Sequence, residues 1–349
     1  MTSLLDTEPV GPAEIAHAED AVAALLGTSD DVLLVQAEAI LTLEAVARSI
    51  AGPQTTAINV VTGPYGAIFG DWMRASGARV IDVASAFDDV ITVDTVRAAL
   101  DAEPEAGVLA LVHAEAATGG TNPVPAIVRE ARRRGLVTVL DAVASIGAEA
   151  VLPAEWGVDV TVIGAQKALA GPSGVSAVAV SDRAWALIDT NPLAPRNSYL
   201  SLLDIRDNWT RTGRAVALGT PHHLETRALL QALERVNAEG LSAVIARHER
   251  ARAATFAGLT ALQLDPWQAT TAGRAGVDST VRAAPGLDRA IGGIVTAGNG
   301  PLASVLLRIN HTGRRANLEF VTDALERLAT ALGVPAQPAI EAAARAYGD

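Results

Sequence analysis

One stretch decides the fold: Gly157-Val-Asp-Val-Thr-Val-Ile-Gly-Ala-Gln-Lys167-Ala-Leu-Ala-Gly-Pro-Ser-Gly174. The 349 residues include 27 lysines and arginines, yet Lys167 is the one lysine among them, where roughly 20 would be ordinary for this length. Arginine cannot deprotonate usefully and so cannot form an imine, whereas a lysine amine can. We therefore interpret Lys167 as a residue that takes part in a reaction. A compositional bias towards arginine would explain the presence of a single lysine equally well.

The residues around Lys167 predict a strand that ends in a turn. Residues 158–163 form a short β-branched run that is typical of a strand, Gly164 ends it, and Lys167 follows on the turn. An earlier predicted strand, residues 136–140, ends at Asp141. Ligands of open α/β sheets bind at the carboxyl ends of strands, so we expect both side chains in one crevice. A carboxylate beneath a pyridinium nitrogen and a lysine amine are the pair that pyridoxal 5'-phosphate (PLP) requires.

Composition excludes several classes of protein. The chain has no Cys, which excludes disulfides, thiolate nucleophiles and Cys-based metal sites. The histidines lack carboxylate neighbours at ligand spacing, so we expect no metal. The net charge of −12 argues against nucleic-acid binding, and no apolar run approaches the ~18–20 residues of a membrane span. Residues 1–9 lack the features of a signal peptide, so we expect a cytoplasmic protein without nucleic-acid or membrane partners.

Strand and helix patterns alternate from residue 12 to residue 180. This alternation predicts an α/β protein with a mainly parallel, doubly wound sheet. After an irregular segment at residues 191–214, two long amphipathic helices and a shorter α+β region follow. We expect two domains: a large PLP-binding domain, residues 1–255, and a small C-terminal domain, residues 256–349.

Five motifs follow one another between residues 113 and 313, inside a resemblance to one family that runs from about residue 15 to residue 335. They read His113-Ala-Glu115-Ala-Ala-Thr118-Gly119, Asp141-Ala-Val143-Ala-Ser145-Ile-Gly147, Ala165-Gln166-Lys167-Ala-Leu169, Thr220-Pro221 and Arg308-Ile-Asn-His-Thr-Gly313. In this order and spacing they resemble the class V aminotransferases of fold type I, of the alanine/serine–glyoxylate and pyridoxamine–pyruvate type. The resemblance implies the aspartate aminotransferase-like fold of PLP-dependent transferases.

The resemblance assigns four residues to the cofactor ring. Lys167 would form a Schiff base with PLP and then carry the proton during amino transfer. Asp141 would pair with the pyridinium nitrogen and keep the ring an electron sink. Val143 would pack on one face of the ring, and Tyr65, in the aromatic position of the family, would stack on the other.

Four further residues are assigned to the phosphate end and the substrate by the same resemblance. Gln166 would contact the phosphate, and Thr118 would also bind the cofactor. Thr220 would reach the phosphate in the partner subunit, which implies a homodimer. Arg308 would clamp the substrate carboxylate with its planar guanidinium.

Plainer interpretations of these residues stay open. Asp141 could cap the backbone after its strand, and Tyr65 or Val143 could simply pack in the core of an α/β protein. Arg308 could be a solvated or ion-paired arginine at the end of a strand. Thr220 could be the N-cap of the helix that follows Pro221.

One stretch departs from the family pattern. Where the family places a Gly/Ser/Thr loop that cradles the phosphate, this chain has Gln36-Ala37-Glu38-Ala39-Ile40, with no glycine, no hydroxyl and one carboxylate. A carboxylate beside a phosphate dianion is repulsive unless it points away. Ala165 replaces the family's serine before Gln-Lys, and Ala217 stands where a tyrosine of the partner subunit is expected.

The resemblance implies an aminotransferase that acts between a small amino acid (alanine- or serine-like) and a 2-oxo acid (glyoxylate- or pyruvate-like). Two alternatives stay open. The segment at residues 36–40 favours a degenerate relative that binds PLP weakly or not at all and has a non-catalytic role. The other alternative is a PLP-dependent lyase, because such an enzyme requires the same residues as a transaminase.

Overall fold

The computed structural model describes residues 8–348. The first seven residues, part of the start in which we expected no signal peptide, lie outside the described range. Of the helices between residues 8 and 348, none combines the length and the apolar character that a membrane span requires.

Within the described residues, the first half of the chain supplies nine strands, most of them short buried runs rich in valine, leucine and isoleucine. They are β1 (Asp31–Val35), β2 (Thr56–Val61), β3 (Arg79–Ala84), β4 (Val108–Val112), β5 (Ala114–Glu115), β6 (Gly120–Thr121), β7 (Val137–Asp141), β8 (Val160–Gly164) and β9 (Ser176–Val180). β5 and β6 form a two-stranded hairpin, and the other seven form one sheet in the order β1-β9-β8-β7-β4-β2-β3.

The sheet is mainly parallel, as expected, but one edge is antiparallel. Strands β3, β2, β4, β7 and β8 pair in parallel, whereas β9 runs antiparallel to both β8 and β1. A parallel pair requires a crossover of about a dozen residues or more, usually with a helix. Residues 165–175, between β8 and β9, contain no helix, so the chain returns alongside β8 in the opposite direction.

Helices cover both faces of this sheet. They are α1 (Pro12–Leu26), α2 (Ala39–Ile50), α3 (Pro64–Ala75), α4 (Val93–Ala102), α5 (Val124–Arg133), α6 (Pro153–Trp156) and α7 (Asp182–Thr190). On one face, Leu43, Val46 and Ile50 of α2 pack in one cluster with Leu33 and Val178 of the sheet. Full burial of each such side chain contributes about 1.5–3 kcal/mol, so α2 is held firmly where its first residues meet the carboxyl end of β8.

The second half of the chain begins with the segment predicted to be irregular. It contains the short helix α8 (Leu202–Ile205) and a π-helical turn, Arg206–Thr210. The remaining helices are α9 (His223–Glu239), α10 (Leu241–Ala261), α11 (Leu318–Leu332) and α12 (Gln337–Tyr347). The strands are β10 (Ser279–Arg282), β11 (Val295–Ala297) and β12 (Leu306–Ile309), which form an antiparallel sheet in the order β10-β12-β11.

A separate hydrophobic core joins this small sheet to α10, α11 and α12. It includes Leu259 of α10, Val281 of β10 and Leu325 of α11. The predicted domain boundary between residues 255 and 256 falls inside α10, which is continuous. The division into residues 1–255 and 256–349 stays a prediction.

Candidate active site

Asp141 and Lys167 lie at the carboxyl ends of two neighbouring strands. Asp141 is the last residue of β7, and Lys167 lies on the turn after β8. The two strands are parallel, with Asp141 in register with Val162. Both residues line one pocket of about 500 Å³, a volume that includes the space open to solvent. The tertiary structure therefore brings the carboxylate and the amine to the same place.

The same pocket contains three more of the predicted residues, Tyr65, Val143 and Gln166. The other residues that line it are Glu38, Ala39, Ile40, Leu43, Ala114, Ala116 and Ala144. Thr118, Thr220 and Arg308 are not among the lining residues. Five of the eight predicted side chains thus meet in one pocket.

Asp141 is a buried carboxylate with one backbone partner. The Val143 N–H donates a hydrogen bond of 2.9 Å to its Oδ1. Burial raises the pKa of Asp141 to about 6, against the opposing effects of that hydrogen bond and of the positive charge of Lys167. A carboxylate held at this depth favours a cationic partner, because an opposite charge relieves the cost of burial.

The turn that carries Lys167 is fixed by the second half of the chain. Gly313 packs so closely that a Cβ there would lie 3.0 Å from the Lys167 carbonyl oxygen and 2.9 Å from the Cβ of Ala170. Gly313 also has φ +61°, a left-handed value that favours glycine. Its N–H donates to Nε2 of His248 at 3.0 Å, and its carbonyl accepts from Arg247 at 2.6 Å. Through these contacts, the second half of the chain holds the turn that carries Lys167 in place.

Tyr65 is positioned by a buried acid, Glu115. The N–H of Gly66, next to Tyr65 in α3, donates to Oε2 of Glu115 at 3.4 Å. Burial, together with the charge of Asp141, raises the pKa of Glu115 to about 8, so this carboxyl is mostly protonated at neutral pH. A Cβ on Gly63 would lie 2.1 Å from Cγ of Glu115, so glycine is required there.

Glu115 belongs to the motif at residues 113–119, but the resemblance assigns it no role. The available signal was its place directly after β4, at the edge of the sheet where ligands bind. Its contact with the start of α3, which is distant in sequence, could not be foreseen from that position alone.

The end of the pocket opposite β7 is formed by Glu38 and Gln166. Glu38 is the exposed residue before α2, and its Oε1 accepts a hydrogen bond of 3.3 Å from Nε2 of Gln166. Oε1 of Gln166 is buried and has no partner within residues 8–348. Because the Gln166 side chain folds over the end of β8, a Cβ on Gly164 would lie 2.3 Å from that oxygen. Glu38 therefore borders the pocket and is hydrogen-bonded to Gln166.

Arg308 and Thr118 lie beside the pocket rather than in its wall. Arg308, half-buried on β12, donates from Nη1 to the carbonyl of Ala116 at 3.4 Å, and Ala116 does line the pocket. Thr118 is fully buried, and its hydroxyl donates to the carbonyl of Glu115 at 3.4 Å. That hydroxyl is used inside the turn between β5 and β6, so contact of Thr118 with a cofactor stays a prediction.

Thr220 belongs to a second cavity. It is exposed and lines an open cavity of about 1360 Å³ together with Gln36, Tyr199 and Leu218. In this single chain it is therefore apart from the Lys167 pocket. Its role stays a prediction.

The pocket fits the ring of PLP better than its phosphate. For the ring, it offers a primary amine, a buried carboxylate and the side chains of Tyr65 and Val143. At the other end, the N–H groups at the start of α2 could receive an anion. The side chains there are the carboxylate of Glu38, which would repel a phosphate, and Gln166, whose Nε2 already donates to Glu38. No three His, Asp or Glu residues in the described chain could jointly hold a metal ion.

Comparison with known sequences gives one family. The sequence profile of the aminotransferase class-V family matches residues 12–276. A pyridoxamine–pyruvate transaminase of Mesorhizobium japonicum is 32% identical over 340 residues, covering 95% of this chain and 86% of the relative. An alanine–glyoxylate aminotransferase of Drosophila melanogaster is 28% identical over 292 residues, covering 78% of this chain and 72% of the relative.

Solved structures give the same fold. A pyridoxamine–pyruvate aminotransferase from Mesorhizobium loti superposes with a TM-score of 0.92 at 30% identity, covering 99% of this chain and 91% of that one. A ureidoglycine–glyoxylate aminotransferase from Bacillus subtilis superposes with a TM-score of 0.88 at 24% identity, covering 99% and 94% of the two chains. The expected aspartate aminotransferase-like fold is confirmed.

Proposed function

The chain belongs to the class V aminotransferase family, and from this premise we propose that it moves an amino group between a small amino acid and a 2-oxo acid at Lys167. The amino acid would be of the alanine or serine type, and the 2-oxo acid of the glyoxylate or pyruvate type. Membership of the family implies PLP chemistry. The observation that carries the proposal is the meeting of the one lysine with the buried Asp141 carboxylate in a single pocket.

A bound pyridoxal ring supplies an electron sink that lets an amino group pass between two carbon skeletons. The amine of Lys167 would hold the ring and would move a proton at the reacting carbon. The Asp141 carboxylate would keep the ring nitrogen protonated. Tyr65 and Val143 would exclude water from the ring. Arg308, whose Nε has no partner in the described part of the chain, binds the substrate carboxylate at the rim.

A second candidate concerns the identity of the amino donor. The Glu38 carboxylate borders the pocket and accepts the Nε2 hydrogen bond of Gln166, the residue expected to contact the phosphate, and a pyridoxamine–pyruvate transaminase is 32% identical to this chain. Both facts favour a ring that enters without a phosphate. On this proposal pyridoxamine is itself the amino donor, pyruvate is the acceptor, and the ring leaves as product.

Two amino-transfer assays test the function and separate the candidates. In one, the purified protein receives pyruvate with either pyridoxamine or pyridoxamine 5'-phosphate, and alanine is measured. In the other, the protein loaded with PLP receives alanine and glyoxylate, and glycine is measured. Alanine formed from pyridoxamine but not from its phosphate supports the second candidate, and turnover with PLP supports the first.

Other results would contradict amino transfer. Loss of alanine without an equal gain of glycine would indicate lyase chemistry. The absence of turnover in every mixture would favour a non-catalytic relative.

Replacement of Glu38 by glutamine should tighten the binding of PLP and leave that of pyridoxal unchanged. At 4 Å in a water-like dielectric, one unit of phosphate charge against a carboxylate costs about 1 kcal/mol, and the phosphate carries ~1.5–2 such units. We expect the Kd of PLP to fall on the order of tenfold, measured by absorbance titration. The control is Glu44→Gln, which removes the same charge from α2 at a residue paired with Arg48. Equal effects on PLP and pyridoxal would contradict a phosphate-specific repulsion.

We also propose that the chain functions as a homodimer in which Thr220 approaches the site of the partner subunit. Supporting this, the surface near Thr220 exposes large apolar side chains, with Tyr199 fully exposed and Val216 70% exposed. Contiguous apolar surface of this kind marks interaction sites. Sedimentation equilibrium should give twice the chain mass of 35.8 kDa. An active monomer would contradict the shared site.

A further inference from the structure

Asp278 is a buried acid to which neither the sequence nor the proposed chemistry gives a role. It directly precedes β10, is 4% exposed, and its Oδ1 has no hydrogen-bond partner among the residues described. Burial raises the pKa of Asp278 to about 7, while the positive charges of Lys167 and Arg308 act in the opposite direction. A buried carboxylate oxygen without a partner is costly in a folded protein. Its retention therefore points to a ligand.

The small sheet directs Asp278 towards the active site. Thr280 lies opposite Arg308 in the antiparallel pair of β10 and β12. Alternation continued from Thr280 to the residue just before the strand places Asp278 on the same face. That face meets the turn between β5 and β6, because Thr280 donates to the carbonyl of Thr118 at 2.9 Å and Arg308 donates to that of Ala116. Asp278 is thus a diagonal neighbour of Arg308 on the face beside the pocket.

A guanidinium and a carboxyl group are therefore diagonal neighbours on this face. Nε of Arg308 and Oδ1 of Asp278 are both buried and unpartnered within the described residues. If Arg308 binds the substrate carboxylate as proposed, the side chain of the substrate would extend towards the neighbouring Asp278. Above pH 7, where Asp278 is mostly ionised, a second carboxylate on that substrate would face a like charge in a desolvated site, which costs several kcal/mol. An amide or hydroxyl donor would instead satisfy Oδ1.

We infer that Asp278 is a specificity-determining residue that rejects dicarboxylic substrates and admits side chains that are uncharged hydrogen-bond donors. This inference rests on the proposed amino transfer, because it assigns the part of the substrate that does not react. It names the substrate class as amino acids and 2-oxo acids with a single carboxylate.

Asparagine and aspartate test it, because they have nearly the same shape and differ in one charge. Each amino acid is supplied with the ring compound that the amino-transfer assays select, and kcat/KM is measured alongside alanine. The wild-type protein should prefer asparagine to aspartate by at least thirtyfold, roughly 2 kcal/mol. In Asp278→Asn the preference should fall at least tenfold. Asp278→Ser provides a second uncharged variant, and Asp265→Asn, an exposed carboxylate of the same region, is the matched control.

Three outcomes overturn the inference while amino transfer from alanine persists. The preference is unchanged in both Asp278 variants, or all three amino acids slow by one common factor, or the wild-type protein accepts neither asparagine nor aspartate. An equal decrease of kcat/KM for all three amino acids would indicate that Asp278 affects the charge of Lys167 rather than the choice of substrate. Absence of transfer from alanine in the wild-type protein would instead contradict the proposed function.

Discussion

Replacement of Lys167 by arginine should abolish amino transfer and leave the protein folded. Arginine keeps the positive charge beside Asp141, but its guanidinium stays protonated and can neither attach the ring nor move a proton. A positioned acid–base group contributes on the order of 10²–10⁴-fold, and the covalent role adds to it. We therefore expect a loss on the order of 10⁴-fold in kcat, with a circular-dichroism spectrum like that of the wild-type protein.

The low lysine content makes this experiment unusually clean. Apart from Lys167, the one primary amine encoded by the chain is its N-terminus. Borohydride reduction of the protein with its ring compound should therefore attach the ring to Lys167, as peptide mass mapping would show. A label found solely at Met1, or turnover of Lys167→Arg within tenfold of the wild type, would remove Lys167 from the chemistry.

The second large effect is expected at Asp141. Asp141→Asn removes the charge that holds the proton on the ring nitrogen, yet Oδ1 of asparagine can still accept the 2.9 Å hydrogen bond from the Val143 N–H. The substitution thus separates the electrostatic role from a capping role. We expect kcat to fall on the order of 10²–10³-fold. The melting temperature should not fall, because the buried charge, whose pKa is already raised to about 6, is removed.

Asp141→Leu is the matched comparison, because leucine removes both the charge and the hydrogen-bond acceptor. If Asp141 acts mainly as a cap, Asp141→Asn should keep near-normal turnover and Asp141→Leu should lose stability. If it acts on the ring, both variants should lose turnover. Ring occupancy, read from the visible spectrum, shows whether the loss is one of binding or of chemistry.

The sequence predicted those helices and strands whose formation depends on residues close together in the chain. The sequence predicts helices at residues 12–26 and 318–332, and α1 and α11 have these bounds, because apolar residues at helical spacing must share one face. β-branched runs predict strands at residues 56–61 and 136–140, which correspond to β2 and β7. The residues that follow the predicted strands at 136–140 and 158–163 led to Asp141 and Lys167. Their meeting follows from topology, since neighbouring parallel strands end at the same edge of a sheet.

Contacts between distant segments were beyond such reasoning. β9 runs antiparallel to β8 because the connection between them contains no helix. The Thr118 hydroxyl bonds to the carbonyl of Glu115 within the turn between β5 and β6 rather than facing the pocket. In the sequence, Asp278 is only the first residue of a strand predicted at residues 278–283. Which face of the small sheet meets the pocket is decided by how the sheet docks, and no local pattern records that docking.

By itself, the sequence determined the class of fold, the position of the amine and carboxylate pair, and the loss of the phosphate loop at residues 36–40. Each of these depends on residues that lie close together in the chain or on strand ends whose positions follow from the parallel sheet. Only the tertiary structure decided that Glu38 meets Gln166, that Glu115 supports the start of α3 beside Tyr65, and that the strand after Asp278 pairs with the strand of Arg308. These pairs arise because burial of apolar surface brings distant segments together, and that burial is not directional.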